Sequence, residues 1–267
     1  MRNFFTILLG IICIIVLFLG HSNWNKKIAA SAKNTSVPST TLVNPTTETE
    51  KNTDNEMNAT KLITLTKNWP PKAVEQFQQA LKVKKSYKIL FVGSPAIGSE
   101  TAGTYQNVKE KLIAAFGKNT IQVVLKIYDS TSSQFVTSNK QEEVAAEDAD
   151  LIVLEPFILV NNGKVKIDDS LKDVSKMMEA IKAKKPETSF ILQPSFPLYK
   201  AKFYPLQVAE LKKYAANNHI AYLDHWSAWP DTNSEKFKDY LLPDQSAPSE
   251  KGNQVWSDYL VKYLISE

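Results

Sequence analysis

A chain of 267 residues, 43% apolar and 22% charged, carries enough apolar side chains for one or two packed domains and is not a wholly disordered polymer. The formal net charge is +4, but lysines alternate with acids along helical stretches. The clusters "KVKKSYK" and "KAKKP" each precede a strand and lack interleaved aromatics, so nucleic acid is excluded as a partner.

The first element is "FFTILLGIICIIVLFLG" (Phe4–Gly20), an uncharged apolar run of about 17 residues, the short end of a membrane span. Arg2 flanks it on one side and Lys26 and Lys27 on the other. Ala30-Ser31-Ala32 has the pattern of a signal-peptidase site but lies beyond Trp24 and both lysines. Ile12 before Cys13 does not suit a lipoprotein site, so the run is expected to remain as an anchor. Cys13 is the single cysteine, which leaves the rest of the chain without disulfide or thiol chemistry. Residues 1–25 are thus the anchor and 26–61 a Ser/Thr/Asn-rich stalk with too little apolar surface to fold. Residues 62–267 form the domain, displayed outside the cytoplasm.

Within that domain helices and strands alternate. Pro71–Lys82 is a helix with Val74, Phe77 and Leu81 on one face, and Tyr87–Gly93 a buried strand. Thr104–Gly117 (helix, with Gly117 just past its end), Ile121–Tyr128 (strand), Lys140–Ala149 (helix) and Asp150–Pro156 (strand) follow. Then come Ser170–Pro186 (helix), Ser189–Pro194 (strand), Leu206–His219 (helix), Ile220–Trp226 (strand) and Glu250–Leu264 (helix). Five short, continuously apolar strands separated by helices imply a parallel sheet covered on both faces, a three-layer α/β/α sandwich. Ligands of such sheets bind at the carboxyl ends of the strands, here the loops after Val92, Tyr128, Glu155, Gln193 and Asp224.

Two of these loops carry recognisable blocks. "FVGSPAIGS" follows the first strand, and "DQSAPSEKGNQVW" (Asp244–Trp256) opens the last helix. Together with the element order from Tyr87 to Leu264, they resemble the SGNH, or GDSL, hydrolases. The resemblance implies a flavodoxin-like sandwich of esterase type. It implies a Gly-Asp-Ser block after the first strand, a Gly after the second, Gly-x-Asn-Asp after the third and Asp-x-x-His-Pro before the final helix.

All four signature positions depart from that pattern. Aligned on Gly93, Ser94 stands where Asp is expected and Pro95 on the nucleophile. "YDSTSSQF" has no glycine, leaving Ser130 or Ser132 for an oxyanion contact. Pro156 and Phe157 replace Gly and Asn, and Asn161 and Asn162 come later. Asp244 persists, but Ala247 replaces the histidine.

Serine is a weak nucleophile without a base, and alanine cannot accept its proton. Of three histidines, His225 alone sits at the carboxyl end of a strand. A displaced triad of Ser94, His225 and Asp244 is therefore the catalytic candidate, with Gly93, Ser130, Glu155 and Trp226 against substrate. Each has a plainer alternative. Ser94 can cap a turn with Pro95 at its first position, His225 can pack among Trp226 and Trp229, and Glu155 can cap or act as a base. "FPLYKAKFYP" with "HWSAW" can line a sugar cleft or fill core. No metal spacing, P-loop or dinucleotide fingerprint is present, so no cofactor is expected. Two functions stay open: an acyl- or acetyl-esterase on envelope carbohydrate, and a non-catalytic module that binds an acylated glycan or protein partner.

Overall fold

The computed structural model describes residues 58–266. The predicted anchor and most of the predicted stalk lie outside the described residues. Among the described residues no helix is long and apolar enough to cross a membrane. The described residues all fall within one compact unit.

Among the described residues, after a first helix at 58–64, the elements run α1 (Pro71–Lys82), β1 (Tyr87–Gly93), α2 (Thr104–Phe116), β2 (Ile121–Ile127), α3 (Ser132–Thr137), α4 (Lys140–Ala145), β3 (Leu151–Leu154), α5 (Ile158–Asn161), α6 (Ile167–Lys184), β4 (Ser189–Leu192), α7 (Tyr204–Asn217), β5 (Ala221–Tyr222) and α8 (Glu250–Leu264). Short 3₁₀ turns lie at Pro95–Ile97, His225–Ala228 and Glu235–Tyr240. The strands are all parallel, in the order β2-β1-β3-β4-β5. This is the flavodoxin-like order, which reverses between β1 and β3.

Side-chain alternation on the central strands divides the core in two. Ile89, Phe91, Leu151 and Val153 face Phe77 of α1, Val108 and Leu112 of α2, and Trp256 and Leu260 of α8. Leu90, Val92, Ile152 and Leu154 face Val144 of α4, Val174 and Met177 of α6, and Leu211 of α7. Burial on both faces explains the unbroken apolar strand sequences.

The differences from the sequence expectation have local causes. β3 and β4 end at Leu154 and Leu192 rather than at Pro156 and Pro194, because proline offers no amide to the ladder. β5 is an edge strand of two residues, since the chain turns into a 3₁₀ helix at His225. A helix at residues 58–64 precedes the expected start at 62. The segment behind it is fastened to the end of α8 by Ser266 N–H to Leu65 O (2.8 Å) and Trp69 Nε1–H to Leu264 O (2.9 Å).

The unanticipated α3 starts from a reciprocal capping box. Gln134 N–H donates to Thr131 Oγ1 (3.2 Å), and Gln134 Oε1 accepts the Thr131 amide (3.0 Å). Thr131→Ala is expected to cost about 1 kcal/mol in urea unfolding.

Candidate functional site

β1 delivers Gly93 and Ser94 to the carboxyl edge of the sheet, and β3 beside it delivers Glu155, whose amide continues the ladder to Val92 O (2.8 Å). The Glu155 carboxylate turns inward across the strands and accepts the Ser94 N–H at Oε2 (2.7 Å). A Cβ on Gly93 would stand 3.0 Å from Glu155 Cβ and 3.1 Å from its Oε2, so the glycine is the space that carboxyl occupies. Ser94 holds the N-cap position of the first 3₁₀ turn with Pro95 at N1, as its plainer alternative had it, but its hydroxyl makes no cap hydrogen bond.

Ser94 and Glu155 are both buried, and neither Ser94 Oγ nor Glu155 Oε1 has a hydrogen-bond partner. Burial pushes the Glu155 carboxyl above its ordinary range, while the nearby Ser94 hydroxyl, the Ser94 amide and the Phe157 amide pull the other way. Further orphaned atoms come from the next strand end: Gln193 Nε2 and Ser195 Oγ after β4, and the Tyr204 hydroxyl at the start of α7. Burial raises the Tyr204 phenol, and the nearby Glu155 adds to it. The carboxyl ends of β1, β3 and β4 thus enclose a polar centre within an apolar core. Ser195 escaped the sequence reading, which met Gln193 only as a strand end and Tyr204 only as a member of the aromatic cluster. Their only signal is their place at or after a strand end in "LQPSFP" and its sequel.

His225 is not available to that centre. Its ring is fully buried and stacked on Trp256 at 4.6 Å and 12°. Nδ1 accepts Trp229 Nε1–H (3.1 Å), which fixes the proton on Nε2, and Nε2–H donates to Pro194 O (3.0 Å). Burial holds its pKa down at about 3. Asp244 is exposed, and its Oδ1 accepts the amide (3.1 Å) and hydroxyl (2.7 Å) of Ser246 in a loop of its own. The expected triad is therefore not assembled in this structure: the imidazole has both nitrogens engaged and the carboxylate serves its own turn.

Trp226 donates Nε1–H to Ser195 O (2.7 Å) and meets Tyr204 edge-on at 5.2 Å. Phe196, Tyr204 and Trp229 are buried, Tyr199 and Trp226 are half-buried and Phe203 is exposed, so half of the aromatic cluster is core.

Ser130 lies elsewhere on the carboxyl edge. With Asp129, Thr131, Gln134, Lys164 and others it lines an open hollow of about 770 Å³ beyond β2, and its Oγ has no partner. The floor is stiffened by a satisfied network. Asn161 Oδ1 accepts Ser132 N–H (2.9 Å), and Asn161 Nδ2 donates to Ser132 Oγ (2.9 Å) and Ser170 Oγ (2.7 Å). The hydroxyls of Ser132 and Ser133 both donate to Asp173 Oδ2 (2.8 and 2.7 Å).

The sequence matches no protein-family model and no curated protein. Solved structures do match. A GDSL-like lipase from Parabacteroides merdae superposes with a TM-score of 0.57 at 14% identity, over 68% of this chain and 96% of that one. Axe2, an acetylxylan esterase from Geobacillus stearothermophilus, gives 0.53 at 15% over the same shares. A lipolytic protein of the G-D-S-L family from Desulfitobacterium hafniense gives 0.52 at 17%, over 67% and 99%. The chain has the SGNH/GDSL hydrolase fold.

Proposed function

We propose that this chain is an extracytoplasmic SGNH/GDSL-fold domain, tethered to the membrane by its N-terminal apolar run, that binds an acylated or acetylated envelope glycan without cleaving it. The observation that carries this reading is the state of the imidazole. A serine hydrolase on this plan needs a base within hydrogen-bond reach of its nucleophile. Here Ala247 stands where the family pattern has histidine, and His225 has both ring nitrogens engaged. The ligand class is taken from the acetylxylan esterase that shares the fold. The hollow beyond β2, lined by Asp129, Thr131, Ser133 and Gln134, offers polar groups on the correct edge of the sheet.

A second reading, an esterase, rests on one specific feature. Ser94 Oγ and Glu155 Oε1 are both unpartnered, and a buried carboxyl with a raised pKa suits general-base work. Ser94 Oγ would attack the acyl carbonyl while Glu155 takes its proton and passes it to the departing alcohol oxygen as the ester C–O bond breaks. Water would then hydrolyse the acyl-enzyme, releasing the carboxylic acid and restoring the serine.

The purified full-length protein separates the two. p-Nitrophenyl acetate is expected to be hydrolysed no faster than in buffer by the wild type, Ser94→Ala and Glu155→Gln. Turnover in the wild type that both variants abolish would establish the esterase and remove the binding-only reading.

A further inference from the structure

The same edge of the sheet carries an apolar patch that the core does not use. Phe203 is 73% exposed and Leu206 64%, the two most exposed of the large apolar side chains that stand out on the described surface. They lie three residues apart at the start of α7, so they share one face of its first turn. Phe203 borders a hollow of about 370 Å³ together with Lys164, Val165, Lys166 and Gln207. Lys164, Lys166 and Lys202 are exposed. No ion pair of theirs occurs among the described residues, whereas nearby Lys172, Lys200 and Lys213 are paired with Asp169, Glu235 and Glu210. The exposed acids nearby are Asp168 and Asp169 in the first turn of α6, where the helix dipole favours them and Asp169 is paired with Lys172, and Asp129, which with Asp169 shares the hollow beyond β2 with Lys164 and Lys166.

Two protruding apolar side chains ringed by three unpaired cations match one kind of surface. We propose that this patch seats on the anionic surface of a lipid bilayer, with Phe203 and Leu206 entering the boundary between headgroups and acyl chains and Lys164, Lys166 and Lys202 over the headgroup charge. Charge complementarity selects this occupant over a second copy of the chain, whose matching patch would bring six lysines together. The contact goes beyond the proposed tether and rests on it only for keeping a bilayer close.

The placement has a functional consequence. Tyr204, directly after Phe203, points its buried hydroxyl toward the polar centre of Glu155 and Ser195. Seating the patch turns the strand ends toward the bilayer, so an acylated ligand reaches them from the membrane side.

The test uses the full-length chain reconstituted into phosphatidylcholine vesicles with or without phosphatidylglycerol, read by amide deuterium uptake over residues 161–168 and 199–210. A several-fold slowing confined to the anionic vesicles is expected, diminished by raised salt. It should be lost in Lys164→Glu/Lys166→Glu/Lys202→Glu and in Phe203→Ser/Leu206→Ser, with uptake in β1 and β3 unchanged. Equal uptake in neutral vesicles, anionic vesicles and detergent would overturn the proposal. So would a slowing without lipid that grows with protein concentration, which would place a second copy on the patch. Flotation with neutral vesicles reads the tether separately. A chain that fails to float there loses the tether, while slowing on anionic vesicles still decides the patch.

Discussion

Acidification from pH 7 to pH 3 destabilises the domain by about 4–5 kcal/mol through His225 alone. The unfolded histidine titrates near 6.5, and burial holds the folded one at about 3. Between those values the unfolded chain binds a proton that the native state refuses, so stability is intact above about 6.5 and drains away as the pH falls toward 3. The loss compares with the whole stability of a typical domain, about 5–15 kcal/mol.

Protonation cannot be absorbed locally. A second proton on the ring would fall on Nδ1, which receives Trp229 Nε1–H, so two donors would face each other in a dry site under Trp256. Glu155 runs the other way. Its raised pKa keeps the folded carboxyl protonated where the unfolded one is ionised, so its contribution is greatest in acid and declines as the pH rises above the ordinary carboxylate range. Urea midpoints at pH 7, 5 and 4 separate the two. The wild type should fall steeply. His225→Gln should start lower at pH 7 and fall much less, and Glu155→Gln should keep the steep fall. An unchanged slope in His225→Gln would show that the acid sensitivity belongs to other groups.

Much of the architecture was legible because both faces of the sheet are buried. Tyr87–Gly93 and Leu151–Leu154 read as apolar runs for the reason that they pack on two layers, and α1 and α8 have the bounds expected from the sequence. β5 was overdrawn because "IAYLDHW" looks like strand at every position, whereas only its first residues have a neighbour to pair with. The polar centre was half legible. Ser94 and Glu155 announce themselves as polar residues closing apolar strands. Whether His225 faces them is a matter of ring rotation and of partners 4 and 31 residues away, Trp229 and Pro194, which no local pattern encodes. The resemblance agrees with the fold, yet it does not say what the block at 244–256 does with alanine at 247.

That question has a mechanical answer, and Gly252→Ala is the substitution that exposes it. A Cβ on Gly252 would lie 2.2 Å from the backbone oxygen of Tyr240 and 3.1 Å from both Pro248 Cβ and Trp229 Cη2. No side chain can swing aside to relieve a contact with a carbonyl, so the first turn of α8 must withdraw by about an ångström. Overpacking typically costs 1–3 kcal/mol, and a backbone clash puts this one at about 3 or more. The withdrawal would spread along the block. Leu241 bridges Pro248, Ser249 N–H donates to the same Tyr240 oxygen (3.0 Å), and Ser249 Oγ donates to Asp239 O (2.7 Å). One turn further, Trp256 stacks on His225 and donates Nε1–H to Gln193 Oε1 (3.1 Å), beside the polar centre. "DQSAPSEKGNQVW" is therefore the clamp that sets α8 against the strand ends, and each of Pro248, Gly252 and Trp256 has a packing role that needs no histidine at 247. Ala247→Gly, in the same loop but with only a half-buried methyl to lose, should cost less than 1 kcal/mol. Thermal unfolding of the two variants side by side decides it. A Gly252→Ala protein as stable as Ala247→Gly would mean that the block is not under packing constraint, and its survival would then have to be explained by a function at the strand ends.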